Sequence, residues 1–336
     1  MTFKRFILRT MLATLPVWAV VAIYVAADPF NVLRFDSRKS EAHAAAGRNM
    51  GVVTINTFLN NHERRHYDSF IFGSSMSQNF RAEEWAKYLP SGSSVLHADA
   101  TMETIDGIVD KIRFFNSRGT KVANALIVIE EEMLRRSPLD NDILHVRPPA
   151  ITSEVSALHF HSLFFNAYKN PTVIGYCLMP KRFKAKMEAE GIITTDPSAR
   201  IDSLNEYRYN KFDSLIAVNP DAFYTRERLR AFEANADVQP QPYNSVMTAE
   251  LVKKLKELRA LLKSNGTKYV VIIPPRYKRR TLSGGDLLAL REILGEDNVK
   301  DYSHDALSRN PCAYYDKTAH LTAANCTALL KMAYSE

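Results

Sequence analysis

Five short strand-like runs, separated by stretches with helical spacing, constrain this chain more than any other feature. The runs are SFIF (69–72), SSVLHA (93–98), ALIVIE (125–130), KYVVIIPP (268–275) and NVKDYS (298–303). The third is continuously apolar, as befits a parallel strand covered on both faces. Helices are expected over 51–64, near 82–88, over METIDGIVDKIRFF (102–115), over 248–263, over GGDLLALREIL (284–294) and over 320–333. Ile105, Ile108, Val109, Ile112 and Phe115 fall on one helical face, and so do Leu251, Leu255, Leu258 and Leu262. Strand–helix alternation specifies a parallel sheet with helices on both faces. The expected class is therefore α/β, a three-layer sandwich around a parallel five-stranded sheet. In such sheets, sites form at the carboxyl ends of the strands.

Residues 135–245 break the alternation and read as a mainly helical insertion. The organisation expected is an anchor over 1–27, a linker and first helix over 28–65, the first part of the α/β domain over 66–134, the insertion, and the second part over 246–336. At 46% hydrophobic and 24% charged residues, the composition supports a sizeable core and argues against wholesale disorder.

Thr10–Ala27 carries no charge, and its eighteen residues would span about 27 Å as a helix, close to a bilayer's hydrocarbon thickness. Lys4, Arg5 and Arg9 precede it, which predicts a single-pass inner or plasma membrane protein with a cytoplasmic N-terminus. Val25-Ala26-Ala27 also fits a signal-peptide cleavage site. Either way, the main domain is expected in the periplasm or outside the cell.

The net charge is +7, with basic clusters at Lys181, Arg182, Lys184 and Lys186, and at Arg276, Lys278, Arg279 and Arg280. Such clusters suit anionic lipid or glycan, or form a solvated face. No nucleic-acid motif accompanies them, so that partner is not expected.

The first strand ends in Gly73-Ser74-Ser75-Met76-Ser77. A hydroxyl nucleophile needs a tight turn that exposes its oxygen and offers N–H groups to an oxyanion. The same residues also suit an ordinary turn or a helix N-cap. Just before the last helix stand Asp316 and His320, a carboxylate and a base of the kind a serine nucleophile requires. His304, next to Asp305, is a rival base. His97 ends the second strand as a cleft or interior histidine. Glu130, Glu131 and Glu132 read as a solvated turn or a substrate contact.

Gly73-Ser74-Ser75-Met76-Ser77-Gln78-Asn79-Phe80 and the near-terminal Asp316…His320-Leu321-Thr322 together resemble the SGNH-hydrolase (GDSL-like) superfamily, whose fold is flavodoxin-like. The similarity is greatest to its membrane-anchored cell-envelope branch, which includes the alginate O-acetylation and D-alanyl-lipoteichoic acid transfer proteins. It covers roughly 66–131 and 248–336. By position the resemblance implies Ser75 as nucleophile, His320 as base and Asp316 as its partner. Ser74 stands where many members have aspartate. Three departures are visible. The last pair is spaced DxxxH, not DxxH. The family's asparagine after the third strand is replaced by Glu130-Glu131-Glu132. Asp99-Ala100-Thr101 stands where a glycine is expected. The oxyanion hole is then expected from the Ser75 N–H and a backbone N–H near Thr101, with Gly73 and Ser74 shaping the turn. Arg276 and Lys278 are expected to contact an anionic substrate.

The function implied is a serine esterase or O-acyltransferase on a cell-envelope glycan or lipid-linked substrate, without cofactor. A membrane-bound acyl donor protein is the implied partner. The alternative is a non-catalytic accessory protein that keeps the fold to bind glycan or a membrane partner.

Of three cysteines, Cys312 and Cys326 are expected to pair, closing a loop of about 15 residues for about 3 kcal/mol. Cys177 reads as a buried thiol. No CxxC or Cys/His spacing suggests a metal site.

Overall fold

The computed structural model describes residues 3–36, 48–136, 140–180, 182–183, 186, 199–201, 203–208, 210–233, 238–277, 279–316 and 320–335. The chain divides into two compact units, one of residues 1–48 with 156–196, the other of residues 49–155 with 197–336.

The first unit contains α1 (Phe3–Ala27), a helix long and apolar enough to cross a membrane. Its Thr10 and Thr14 hydroxyls donate to the carbonyls of Phe6 and Thr10 at 3.0 Å each, so they leave no bare polar group on an apolar helix. Directly after it, buried Asp28 accepts the N–H groups of Val32 (3.0 Å), Leu33 (3.1 Å) and Arg34 (2.8 Å) and folds the chain into a tight loop.

In the second unit, α2 (Met50–Arg65) leads into β1 (Ser69–Phe72), α3 (Ala82–Trp85), β2 (Val95–His97), α4 (Ile105–Ser117), β3 (Asn124–Val128) and α5 (Glu131–Arg135). The chain then forms α6 (Ala157–Tyr168) and α7 (Pro171–Leu178), which belong to the first unit. Back in the second unit come the hairpin β4 (Ala199–Ile201) and β5 (Glu206–Arg208), then α8 (Asn210–Val218), α9 (Pro220–Phe223), α10 (Arg226–Glu233) and β6 (Gln241–Pro242). The α/β pattern resumes with α11 (Ala249–Asn265), β7 (Lys268–Ile273), β8 (Arg280–Thr281), α12 (Gly284–Leu294), β9 (Val299–Asp301) and α13 (Ala323–Ser335).

The main sheet has five parallel strands in the order β2-β1-β3-β7-β9. Side chains alternate between its faces, as a pleated strand requires. Phe70, Phe72, Ala125, Ile127 and Val271 join one buried cluster with Phe58 of α2, Ile108, Ile112 and Phe115 of α4, Leu258 of α11 and Leu290 of α12. Ile71, Leu126, Val128 and Ile272 join a second cluster with Phe80, Trp85 and the α13 residues Leu329 and Leu330. Each large side chain so buried contributes about 1.5–3 kcal/mol. The helices begin where the sequence supplies caps: Thr104 accepts from Gly107 N–H at 3.0 Å, and Thr248 from Leu251 N–H at 3.1 Å.

The described residues of 135–245 include α6 to α10, and they also supply a hairpin that covers the exposed edge of β2. The His97 N–H donates to the Leu204 carbonyl at 2.9 Å, and Asn205 Nδ2 donates to the His97 carbonyl at 2.7 Å. An edge strand's open backbone groups are thereby used.

After β1 the chain pairs β2 on one side and then returns to place β3 on the other. The crevice between the carboxyl ends of β1 and β3 is the point of reversal, where open α/β sheets form their sites.

Candidate active site

Gly73 ends β1 at φ 157°, and a Cβ built there would lie 2.6 Å from Ser77 Cβ and 3.1 Å from the Val128 carbonyl oxygen. Only a residue without a side chain lets the turn close this tightly against β3. Ser74 caps the single 3-10 turn that follows: its Oγ accepts from Met76 N–H at 3.2 Å, and its carbonyl accepts from Ser77 N–H at 2.9 Å. Ser75 is the first residue of that turn, and no hydrogen bond among the described residues engages its N–H.

The second half of the site comes from the segment before α13. Tyr315 N–H donates to the His320 carbonyl at 2.8 Å, and Thr322 N–H donates to the Ala313 carbonyl at 2.9 Å, which holds His320 beside Tyr315. His320 Nε2 lies 2.8 Å from Ser75 Oγ, and its Nδ1 lies 2.7 Å from Asp316 Oδ2. The extra residue in DxxxH therefore leaves the carboxylate on the imidazole. The imidazole is 18% exposed and the carboxylate 38%, so the base is sheltered and its partner borders solvent.

Two residues of the insertion hold Tyr315. Arg228 donates to the Tyr315 carbonyl and lies 3.9 Å above the Phe223 ring, and Tyr315 donates its phenol to Asp213. Nothing in the sequence joins residues 213 and 228 to residue 315.

The acidic run after β3 differs most from expectation. Glu130 and Glu131 are buried, not solvated. Ser74 Oγ donates to Glu130 Oε1, Arg276 donates to Glu132, and Arg276 Nη1 lies 3.9 Å from Glu130 Oε2. Burial pushes the Glu130 carboxyl above its ordinary range, against the pull of Arg276 and Ser74. Arg276, expected to contact an anionic substrate, is engaged by two carboxylates and only 11% exposed. Lys278 lies outside the described residues.

Thr101 follows Ala100, whose N–H donates to the Gly73 carbonyl at 3.2 Å, so its segment runs beside the serine turn. His97 is fully buried, with Nε2 2.9 Å from the Ser77 carbonyl and Nδ1 3.4 Å from Asp99, an interior support of the same turn. His304 is exposed, and no hydrogen bond among the described residues joins it to Ser75.

The Cys312–Cys326 bridge is not formed: both are free thiols. Cys326 faces inward from α13 among Leu329 and Leu330, whereas Cys312 is exposed on a 3-10 turn. Cys177 is half-buried, not fully enclosed. No group of three or more His, Cys, Asp or Glu able to hold a metal occurs among the described residues.

No protein-family model matches the chain, and no curated protein matches it.

Proposed function

We propose that this chain is a membrane-anchored serine esterase or O-acyltransferase of the SGNH type, with the second unit as a three-layer catalytic domain outside the cytoplasm. The observation that carries the reading is the Ser75–His320–Asp316 array, whose two halves stand 245 residues apart in sequence and 2.8 Å apart in space.

In the proposed reaction Ser75 Oγ attacks an ester or thioester carbonyl as His320 Nε2 takes its proton. Asp316 holds the imidazole's other nitrogen and stabilises the imidazolium. The carbonyl oxygen becomes an oxyanion, for which the Ser75 N–H and a backbone N–H near Thr101 are the donors at hand. As the intermediate collapses, the bond to the leaving group breaks and His320 returns the proton to it. Water then releases the acyl group in an esterase, and a sugar hydroxyl accepts it in a transferase, with His320 again as base. The anchor and the expected export favour a cell-envelope glycan or lipid-linked substrate, supplied in the transferase case by a membrane-bound acyl donor protein.

Hydrolysis of a small acetyl ester by the full-length chain tests this reading. Turnover by the wild type that Ser75→Ala abolishes supports it, and equal turnover by both contradicts it.

One observation favours a second reading, a non-catalytic glycan- or partner-binding protein. Glu130 stands where the resembling family places an asparagine, and a carboxylate cannot replace an amide N–H unless it is protonated.

A further inference from the structure

We propose that α6 and α7 form a hairpin that lies in the outer face of the bilayer beside α1, giving the protein a broad membrane footprint in place of a single spanning helix. The proposal rests on reading α1 as the membrane span and is independent of the chemistry at Ser75.

The first ground is where the hairpin packs. The Tyr168 hydroxyl donates to the Val20 carbonyl at 3.2 Å. The Tyr24 ring lies 5.0 Å from that of Tyr168 and 5.3 Å from that of Phe165, and Phe30 lies 5.4 Å from Phe164. Val20 is seven residues before the end of α1, about 10 Å along the helix. A helix that touches the span that far from its end enters the membrane with it.

The second ground is composition. From Ser156 to Pro180 there is no acidic residue, and Lys169, at the bend between the helices, is the single Lys or Arg. Phe160, Phe164 and Tyr168 recur every four residues and form the buried stripe of α6. On its other side Leu158 is 83% exposed, and Leu178 at the end of α7 is 60% exposed. A water-facing helix would carry charges there.

The third ground is length. Twelve and eight residues span about 18 and 12 Å, too short to cross a bilayer of about 30 Å but suited to its interface. Pro171 at the start of α7 and the Asn170 cap, which accepts from Thr172 N–H at 2.9 Å, fix the bend. Lys169 is exposed at that bend and can reach the headgroups.

The test is spin labelling of the full-length chain in liposomes. Nitroxides are placed at Leu158→Cys and Leu178→Cys in a background with Cys177→Ser and Cys312→Ser. Met11→Cys in the span and Val218→Cys, which is 85% exposed in the other unit, are the comparators. Collision with dissolved oxygen reports lipid, and collision with a nickel chelate reports water. The expected result is that positions 158 and 178 follow position 11, with oxygen dominant. If they follow position 218, or collide with neither because a protein covers them, the proposal is overturned. If position 11 itself reads as water, the span is wrong and the proposal falls with it.

Discussion

The Ser74 hydroxyl donates to the Glu130 carboxylate, which ties the residue before the candidate nucleophile to the end of β3. Through Arg276 and Glu132 the tie extends to the segment after β7. Three strand ends are thereby fixed around one 3-10 turn. Glu130→Ala removes the acceptor and leaves a buried hydroxyl unsatisfied, a loss of about 1–3 kcal/mol. The expected outcome is a roughly tenfold or greater fall in the rate at which Ser75 reacts with an active-site probe. Glu130→Gln, whose amide oxygen still accepts from Ser74, should lose less. Equal rates for Glu130→Ala and wild type, with both proteins folded, would remove Glu130 from the positioning of the turn.

Gly73→Ala places a methyl group against Ser77 and the Val128 carbonyl, where backbone must move to admit it. Overpacking of this kind costs about 1–3 kcal/mol, read as a lower denaturant midpoint, and the probe reaction should be lost with it. Gly285→Ala in the first turn of α12 meets no atom within 4 Å and serves as the control. It is expected to be neutral or to stabilise by up to about 1 kcal/mol.

Three free thiols are expected on titration of the denatured chain, and reductant should leave the melting temperature unchanged. In the folded protein exposed Cys312, although desolvation and Asp221 push its thiol up, should react faster than Cys326, which is fully buried with its thiol also pushed up by desolvation. A single free thiol after denaturation would restore the 312–326 bridge.

Burial pushes the Asp110 carboxyl from an ordinary 3.8 to about 6, although Arg147 pairs with it and pulls the other way. The folded state then holds this proton more tightly than the unfolded chain. Asp110's contribution to stability is full below about pH 4 and is lost as pH rises through about 6. Asp110→Asn, which cannot ionise, should gain stability relative to wild type across that interval, measured by denaturant unfolding at fixed pH. A relative loss as pH rises would show that the Arg147 pair outweighs desolvation.

β1, β3 and β7 could be read from sequence because strands buried in the sheet are largely apolar, and the alternation of all five strands with helices specified a parallel sheet. Ser75 stood out as a serine after the first strand and His320 as a base before the last helix, and the fold brings the two side chains together. Glu130 did not stand out: three consecutive glutamates look like a solvated turn, and their burial depends on Arg276 and Ser74, both distant in the chain. The β4–β5 hairpin was hidden because three-residue strands carry no alternation long enough to detect. The cysteine pairing failed because spacing along the chain says nothing of side-chain direction, and α13 turns Cys326 inward.

If Ser75 is a nucleophile activated by His320, its hydroxyl should react with a serine-directed phosphonate. Fluorophosphonate labelling of the folded full-length chain, with the adduct located by peptide mass, reads this out. An adduct is expected on Ser75 that is absent in Ser75→Ala, slowed about 10²–10⁴-fold in His320→Ala, and slowed less in Asp316→Asn, whose carboxylate borders solvent. A folded wild type that takes no label, or a Ser75 adduct that forms equally fast in His320→Ala, would contradict it.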